Sequence, residues 1–165
     1  MQESGGRRIK RSLFVDLQTV KFLNPDEINR LKNMHLLKDY IMARQTEISN
    51  WNRAKGIDED KNLKEGPCNG RRMTNLGCFR EYIKRYLGDH PLIKSDGSMT
   101  FLVRQLQPTE KGIPLEIYVF CSDTRWVHYE GVQADLFDHL FAIISDFDLR
   151  LFQEVSGIDF IKLLR

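Results

Sequence analysis

Two strand patterns stand next to each other in this sequence: SMTFLVRQL from Ser98, and IPLEIYVFC from Ile113 to Cys121, both dense in β-branched and aromatic residues. Between them QPTEKG carries Pro108 and Gly112, so the pair predicts a β-hairpin with a mid-length loop. Helical patterns flank it. Upstream, a helix opening at Thr74 or Asn75 places Leu76, Phe79, Ile83 and Tyr86 or Leu87 on one face, then stops at Gly88 before His90-Pro91. Downstream, Ser122, Asp123 and Thr124 are alternative caps for a helix whose stripe is Val132, Leu136, Leu140 and Ile143, widened by Phe137, Phe141 and Ile144. Strand alternation returns at both ends. Ile9, Leu13 and Val15 share a side with Arg11, opposite Lys10, Ser12, Phe14 and Asp16. Near the far end, Phe147, Leu149 and Leu151 alternate with Asp148, Arg150 and Phe152. Residues 1–6 read as a flexible lead-in, and the tail carries a cap at Ser156 with apolar Ile158, Phe160, Ile161, Leu163 and Leu164, a short helix able to dock on this chain or a neighbour.

One further helical signal lies between the first strand and Thr74. Asn24-Pro25-Asp26-Glu27 supplies an N-cap, a proline at the first helical position and a capping-box acid, and Gly56 supplies a left-handed stop. An unbroken helix there has about 31 residues and a length of about 46 Å, too long for a compact domain of this size. Its stripe is dense at Leu31, Met34, Leu37 and Ile41 and sparse afterwards, at Ile48 and Trp51, so the first half is expected to pack and the second to project or pair with another chain. Residues 56–70 are polar and turn-rich, the pattern of a long surface loop. Setting this segment aside leaves βαββαβ. The fold class expected is α+β: a ferredoxin-like βαββαβ sheet with two helices on one face, plus an inserted long helix and loop after the first strand. Its other face is open to bind something.

Composition limits function. The 165 residues fit one core, and 25 Lys plus Arg against 23 Asp plus Glu leave a net charge of +2, without the basic excess of a dedicated nucleic-acid binder. The basic cluster Arg7, Arg8, Lys10 and Arg11 is read as a solvated strand edge that discourages aggregation. No apolar run approaches the roughly twenty residues a bilayer span needs, and no secretory signal is visible. The three cysteines, Cys68, Cys78 and Cys121, match no zinc or redox spacing and read as small buried or semi-buried thiols in a reducing setting.

The richest polar segment is SDTRWVHYEGVQADLFDH. Asp135 and His139 lie one helical turn apart, with His128 or Asp138 as a third metal ligand, but an ordinary helix-face ion pair or cap accounts for the same spacing. No metal site and no cofactor site is expected. Trp126 and Tyr129 beside Arg125 suggest a base-stacking platform, yet IYVFCS and FLVRQL lack the glycine and basic positions of an RNA-binding consensus; Trp126 reads as a packing anchor at a helix start. The common catalytic motifs are absent. Asn69, Arg71, Arg72 and Asn75 bring Arg and Asn close together, but on a loop without a phosphate cradle, so no hydrolase and no enzyme is expected.

Four blocks in order, GRRIKRSLFVD, GRRMTNLGCFREYIKRYL, MTFLVRQLQPTEKGIPLEIYVF and SDTRWVHYEGVQADLFDHLF, together resemble the cytoplasmic C-terminal region of small-conductance (MscS-type) mechanosensitive ion channels, within the miniconductance-like bacterial subgroup. The resemblance covers nearly all of residues 6–153. It implies that 1–23 is the end of a β-domain and the first strand of an α/β domain, 24–73 an inserted long helix and loop, and 74–153 the remainder of that domain, with 154–165 a tail. It also implies a fragment on the cytoplasmic side of an inner-membrane protein, a homo-oligomer (a heptamer in the family) and membrane attachment through segments missing from this chain. Nucleic acid is not an expected partner. The interface candidates are Arg11 and Leu13 on the edge strand, Arg104 and Tyr118 on the open face, and Asp123, Arg125, Trp126 and Glu130 in the polar run. The alternative is a soluble ferredoxin-like module that binds a ligand or RNA.

Overall fold

The computed structural model describes residues 2–3, 5–64 and 67–165. The chain is α+β. Its elements are β1 (Gln2–Glu3), β2 (Gly6–Val15), α1 (Pro25–Lys32), α2 (Lys38–Ala54), α3 (Glu59–Lys64), α4 (Asn75–Asp89), β3 (Leu102–Gln105), β4 (Ile113–Cys121), α5 (Trp126–Ile143) and α6 (Gly157–Leu163), with 3-10 turns at Leu17–Thr19 and Ile144–Phe147. The strands form one antiparallel sheet in the order β1-β2-β4-β3. The expected hairpin is β3–β4, closed by a turn in which Thr109 and Gly112 exchange backbone hydrogen bonds of 2.9 and 3.0 Å.

Alternation in β2 sorts the sheet as the sequence pattern requires. Ile9, Leu13 and Val15 are buried, and the register puts them opposite Val119, Leu115 and Ile113 of β4. Against that side pack Leu76, Phe79, Ile83 and Leu87 from α4 and Leu136, Phe137 and Leu140 from α5. Thr74 caps α4, its hydroxyl accepting from the Gly77 amide at 3.0 Å. None of the three expected caps serves α5: Arg125 occupies that position without a side-chain bond, and Phe141, expected to widen the buried stripe, is exposed.

Gly112 lies at φ +95°, and a Cβ there would fall 2.2 Å from the Val15 carbonyl oxygen. Both obstacles are backbone, so side-chain movement relieves neither. Gly112→Ala is expected to destabilise the fold by about 2–4 kcal/mol, read as a lower urea midpoint with the slope unchanged.

Several expectations need correction. The lead-in is not free: Gln2 and Glu3 pair with Arg7 and Gly6, while positions 1 and 4 lie outside the described residues. The long helix is two helices, α1 and α2, broken at residues 33–37. Leu31 and Leu37 are six residues apart, about 120° from each other on a straight helix, and both are buried, so the break turns both into one core. The second half of the long helix does not project free of the fold: Ile48 and Asn52 are buried, and Trp51 is the outward residue. The loop expected over 56–70 contains α3, with 65 and 66 outside the described residues. The last strand contracts to one bridge, Leu151 to Val15, because Ile144–Phe147 forms a 3-10 turn and Asp148 takes a left-handed φ of 55°.

Segment 24–73 leaves and returns through a narrow neck. Phe22 bridges Thr74, the Leu23 amide donates to Met73 O at 2.9 Å, and the Asn75 amide donates to Lys21 O at 3.1 Å. Inside it, Asn52 is the polar hub. Its Oδ1 accepts from the Arg71 amide at 2.9 Å, and its Nδ2 donates to Arg71 O at 3.0 Å and to Glu59 Oε1 at 2.9 Å. Asn75 does the same for the main domain, with Oδ1 accepting from Lys21 N (2.9 Å) and Nδ2 donating to Thr19 O (2.9 Å) and Phe147 O (3.0 Å).

Candidate functional site

Two surfaces gather the sequence-derived candidates. The first is the sheet face turned away from α4 and α5, where Arg8, Lys10, Ser12 and Phe14 of β2 stand opposite Phe120, Tyr118, Glu116 and Pro114 of β4, with Leu102 and Arg104 of β3 beyond. Arg8 and Lys10 lie 5.8 and 5.6 Å from the Tyr118 ring centroid, within reach of cation–π attraction. Arg104 holds the buried Glu116 through Nε (3.0 Å) and Nη2 (2.9 Å), both on Oε1. Phe120 is buried outside the main core, and its carbonyl accepts from the Lys94 amide at 2.9 Å. The segment before β3 therefore covers one end of this face, and Tyr118 marks its more open part.

The second surface is the start of α5. Asp123 accepts from Arg125 Nε (2.9 Å), Nη2 (2.6 Å) and backbone N (3.2 Å), and its Oδ2 lies 3.1 Å from His128 Nδ1. The Arg125 guanidinium, seconded by its own amide and His128, holds the Asp123 carboxyl well below the usual carboxylate range. A depressed folded-state pKa contributes stability that is present above the ordinary aspartate range and lost as pH falls through the folded value. Urea midpoints of the native chain and Asp123→Asn are therefore expected to differ at pH 7 and to converge towards pH 2.

Trp126 is 66 % exposed and Val127 73 %, so Trp126 is no packing anchor within this chain. Tyr129 takes that part: it is buried, its hydroxyl donates to Arg8 O, and the Arg7 guanidinium lies 4.5 Å from its ring. Glu130 is exposed. On β2, Arg11 is exposed with its guanidinium 4.1 Å from the Phe137 ring, whereas Leu13 is buried in the core and offers no surface.

His139 is taken up elsewhere. It shares a 2.7 Å hydrogen bond with the Tyr82 hydroxyl and stacks on Tyr86 at 4.1 Å between centroids. Burial pushes both tyrosines above their ordinary pKa. Among the described residues no three His, Cys, Asp or Glu side chains converge on a possible metal position, and no helix is long and apolar enough to cross a membrane. Cys78 and Cys121 are buried, and burial pushes the Cys78 thiol up to about 11; Cys68, by contrast, is exposed. Along α6 every residue is exposed, the apolar Ile158, Phe160, Ile161 and Leu163 (all more than half) as well as Asp159 and Lys162, so the tail helix forms but does not dock on this chain.

No protein-family model matches the chain.

Proposed function

We propose that the chain is the cytoplasmic portion of a subunit of an MscS-type, miniconductance-like mechanosensitive channel in the bacterial inner membrane. Its part is non-catalytic: it joins subunits into a homo-oligomer, a heptamer by resemblance, and forms the vestibule through which ions and small solutes leave under membrane tension. The observation that carries this reading is the outward apolar surface at two separated places, Trp126 and Val127 at the start of α5 and the exposed face of α6. Patches that a monomer leaves in water gain most when neighbouring copies cover them. The four ordered sequence blocks point the same way.

The sheet supports a ferredoxin-like description. α4 links β2 to β3, α5 links β4 to the Leu151 bridge, and that bridge lies antiparallel beside β2, as a reduced fourth strand would. The test is made on the full-length subunit. Trp126→Glu with Val127→Glu is expected to lower the oligomer fraction after cross-linking and the number of tension-gated openings in membrane patches. Normal assembly and gating after removal of the whole region would reject the proposal.

A specific observation favours a second reading, a soluble ferredoxin-like module binding a ligand or RNA. Arg8 and Lys10 beside Tyr118 pair cations with an aromatic face in the way single-stranded nucleic acid is held. Salt-sensitive RNA binding that Tyr118→Ala abolishes would select it.

A further inference from the structure

Segment 24–73 folds around a cavity of about 220 Å³. By volume that is room for about seven waters, or one small organic molecule. Its walls combine the apolar side chains of Ile28, Ile48 and Met73 with polar groups of Asn29, Gln45 and Arg72.

The charged groups around it differ in how they are engaged. Arg71 is tied down: its guanidinium meets Glu47 at 3.0 Å, and its backbone N–H and C=O are both held by the Asn52 amide. Both oxygens of Glu59 accept hydrogen bonds, from Asn52 Nδ2 at 2.9 Å and from Ser49 Oγ at 3.1 Å. Arg72 is different. Among the described residues it has no carboxylate partner, its Nη2 makes only a long 3.4 Å bond to Leu23 O, and its Nε is the one buried side-chain donor or acceptor atom with no hydrogen-bond partner. A buried cationic donor left unpaired is costly, and native folds rarely keep one without a use. The Phe22 ring, 5.0 Å from the guanidinium, supplies attraction but no acceptor oxygen.

We infer that this cavity binds a small organic monoanion, whose carboxylate head meets the Arg72 guanidinium while a short apolar body lies against Ile28, Ile48 and Met73. A planar guanidinium offers two parallel donors to such a head, which a neutral amide of the same shape cannot replace. The acidic Glu59 lies within the same walls and selects against polyanions. The inference stands independently of the channel reading.

The experiment titrates the chain with 4-methylpentanoate, with its neutral analogue 4-methylpentanamide and with inorganic phosphate, following backbone amide NMR shifts and the melting temperature. The expected result is saturable binding of the carboxylate with shifts concentrated at Ile28, Ile48, Arg72 and Met73, at least tenfold weaker binding of the amide, and weaker binding of phosphate, which lacks the apolar body. Arg72→Gln is expected to lose at least tenfold in affinity. Ile28→Trp, which fills the cavity and leaves the guanidinium in place, is expected to abolish binding, and it decides the matter if Arg72→Gln fails to fold. Equal affinity for acid and amide, phosphate binding as tight as the acid, or no saturable shift with any probe would overturn the inference.

Discussion

Replacing Asn75 by aspartate is expected to cost about 2–6 kcal/mol, although the two side chains have almost the same shape. Asn75 is fully buried, and its amide nitrogen donates to two backbone carbonyls, those of Thr19 and Phe147, which are far apart in the sequence. An aspartate has no N–H to offer, so both carbonyls lose their donor, at about 1–3 kcal/mol each. The change also acquires a pH dependence that the native chain lacks at this site. Burial against carbonyl oxygens raises the folded-state pKa of the new carboxyl above the unfolded value of about 3.9, so the unfolded chain ionises first and stability falls as pH rises past that value. Urea titrations at pH 4 and pH 7 check this: the variant is expected to be closer to the native chain at the lower pH, and a penalty below about 1 kcal/mol at both would show that the Asn75 bonds are dispensable.

Phe147→Ala is expected to cost about 3–5 kcal/mol. The ring is fully buried and packs 5.1 Å from Phe79 and 5.5 Å from Tyr82, centroid to centroid. Phe147→Leu keeps most of the volume and is expected to cost about a third as much. Because the Phe147 carbonyl is also an acceptor of Asn75, the two substitutions share a partner, and their effects are expected to combine non-additively in a double-mutant cycle. Additive behaviour would mean that the ring and the carbonyl are held separately. Given the total stability of about 5–15 kcal/mol usual for a domain, either substitution alone removes a large share of it.

What could be read from the sequence was local. The alternation of Ile9, Leu13 and Val15, the Thr74 cap, the stripe Leu76, Phe79, Ile83 and Leu87, and the turn at Gly112 all depend on residues within a few positions of one another, and the fold keeps each of them. The break at 33–37 has no Pro or Gly to announce it; it arises from burying Leu31 and Leu37 together, a demand of packing. The last strand failed for a related reason, since the residues expected to alternate begin instead in a 3-10 turn and a left-handed Asp148, which receives Lys21 at 3.2 Å and Arg30 at 3.1 Å.

Of the interface candidates, Arg104, Arg125, Trp126 and Glu130 do lie at the surface, whereas Leu13, an apolar residue in a strand pattern, had a signal that pointed inward from the start. Asn52 and Asn75 were the residues hardest to see. Each is a single polar letter whose partners are mostly backbone groups, up to 72 positions away. For Asn52 there was one usable clue: it follows Ile48 by one helical turn, so the buried stripe of α2 passes through it.

The pairing of β2 with β4 has a consequence for how the chain is made. Arg7 stands opposite Cys121, a separation of 114 residues along the chain. At a synthesis rate of roughly 5–20 residues per second, β2 waits roughly 6–23 s after translation before its partner strand exists. Throughout that interval the strand that will anchor the sheet has no native neighbour beyond β1, and the ribosome, a chaperone or its own charges must keep it from pairing with the wrong one.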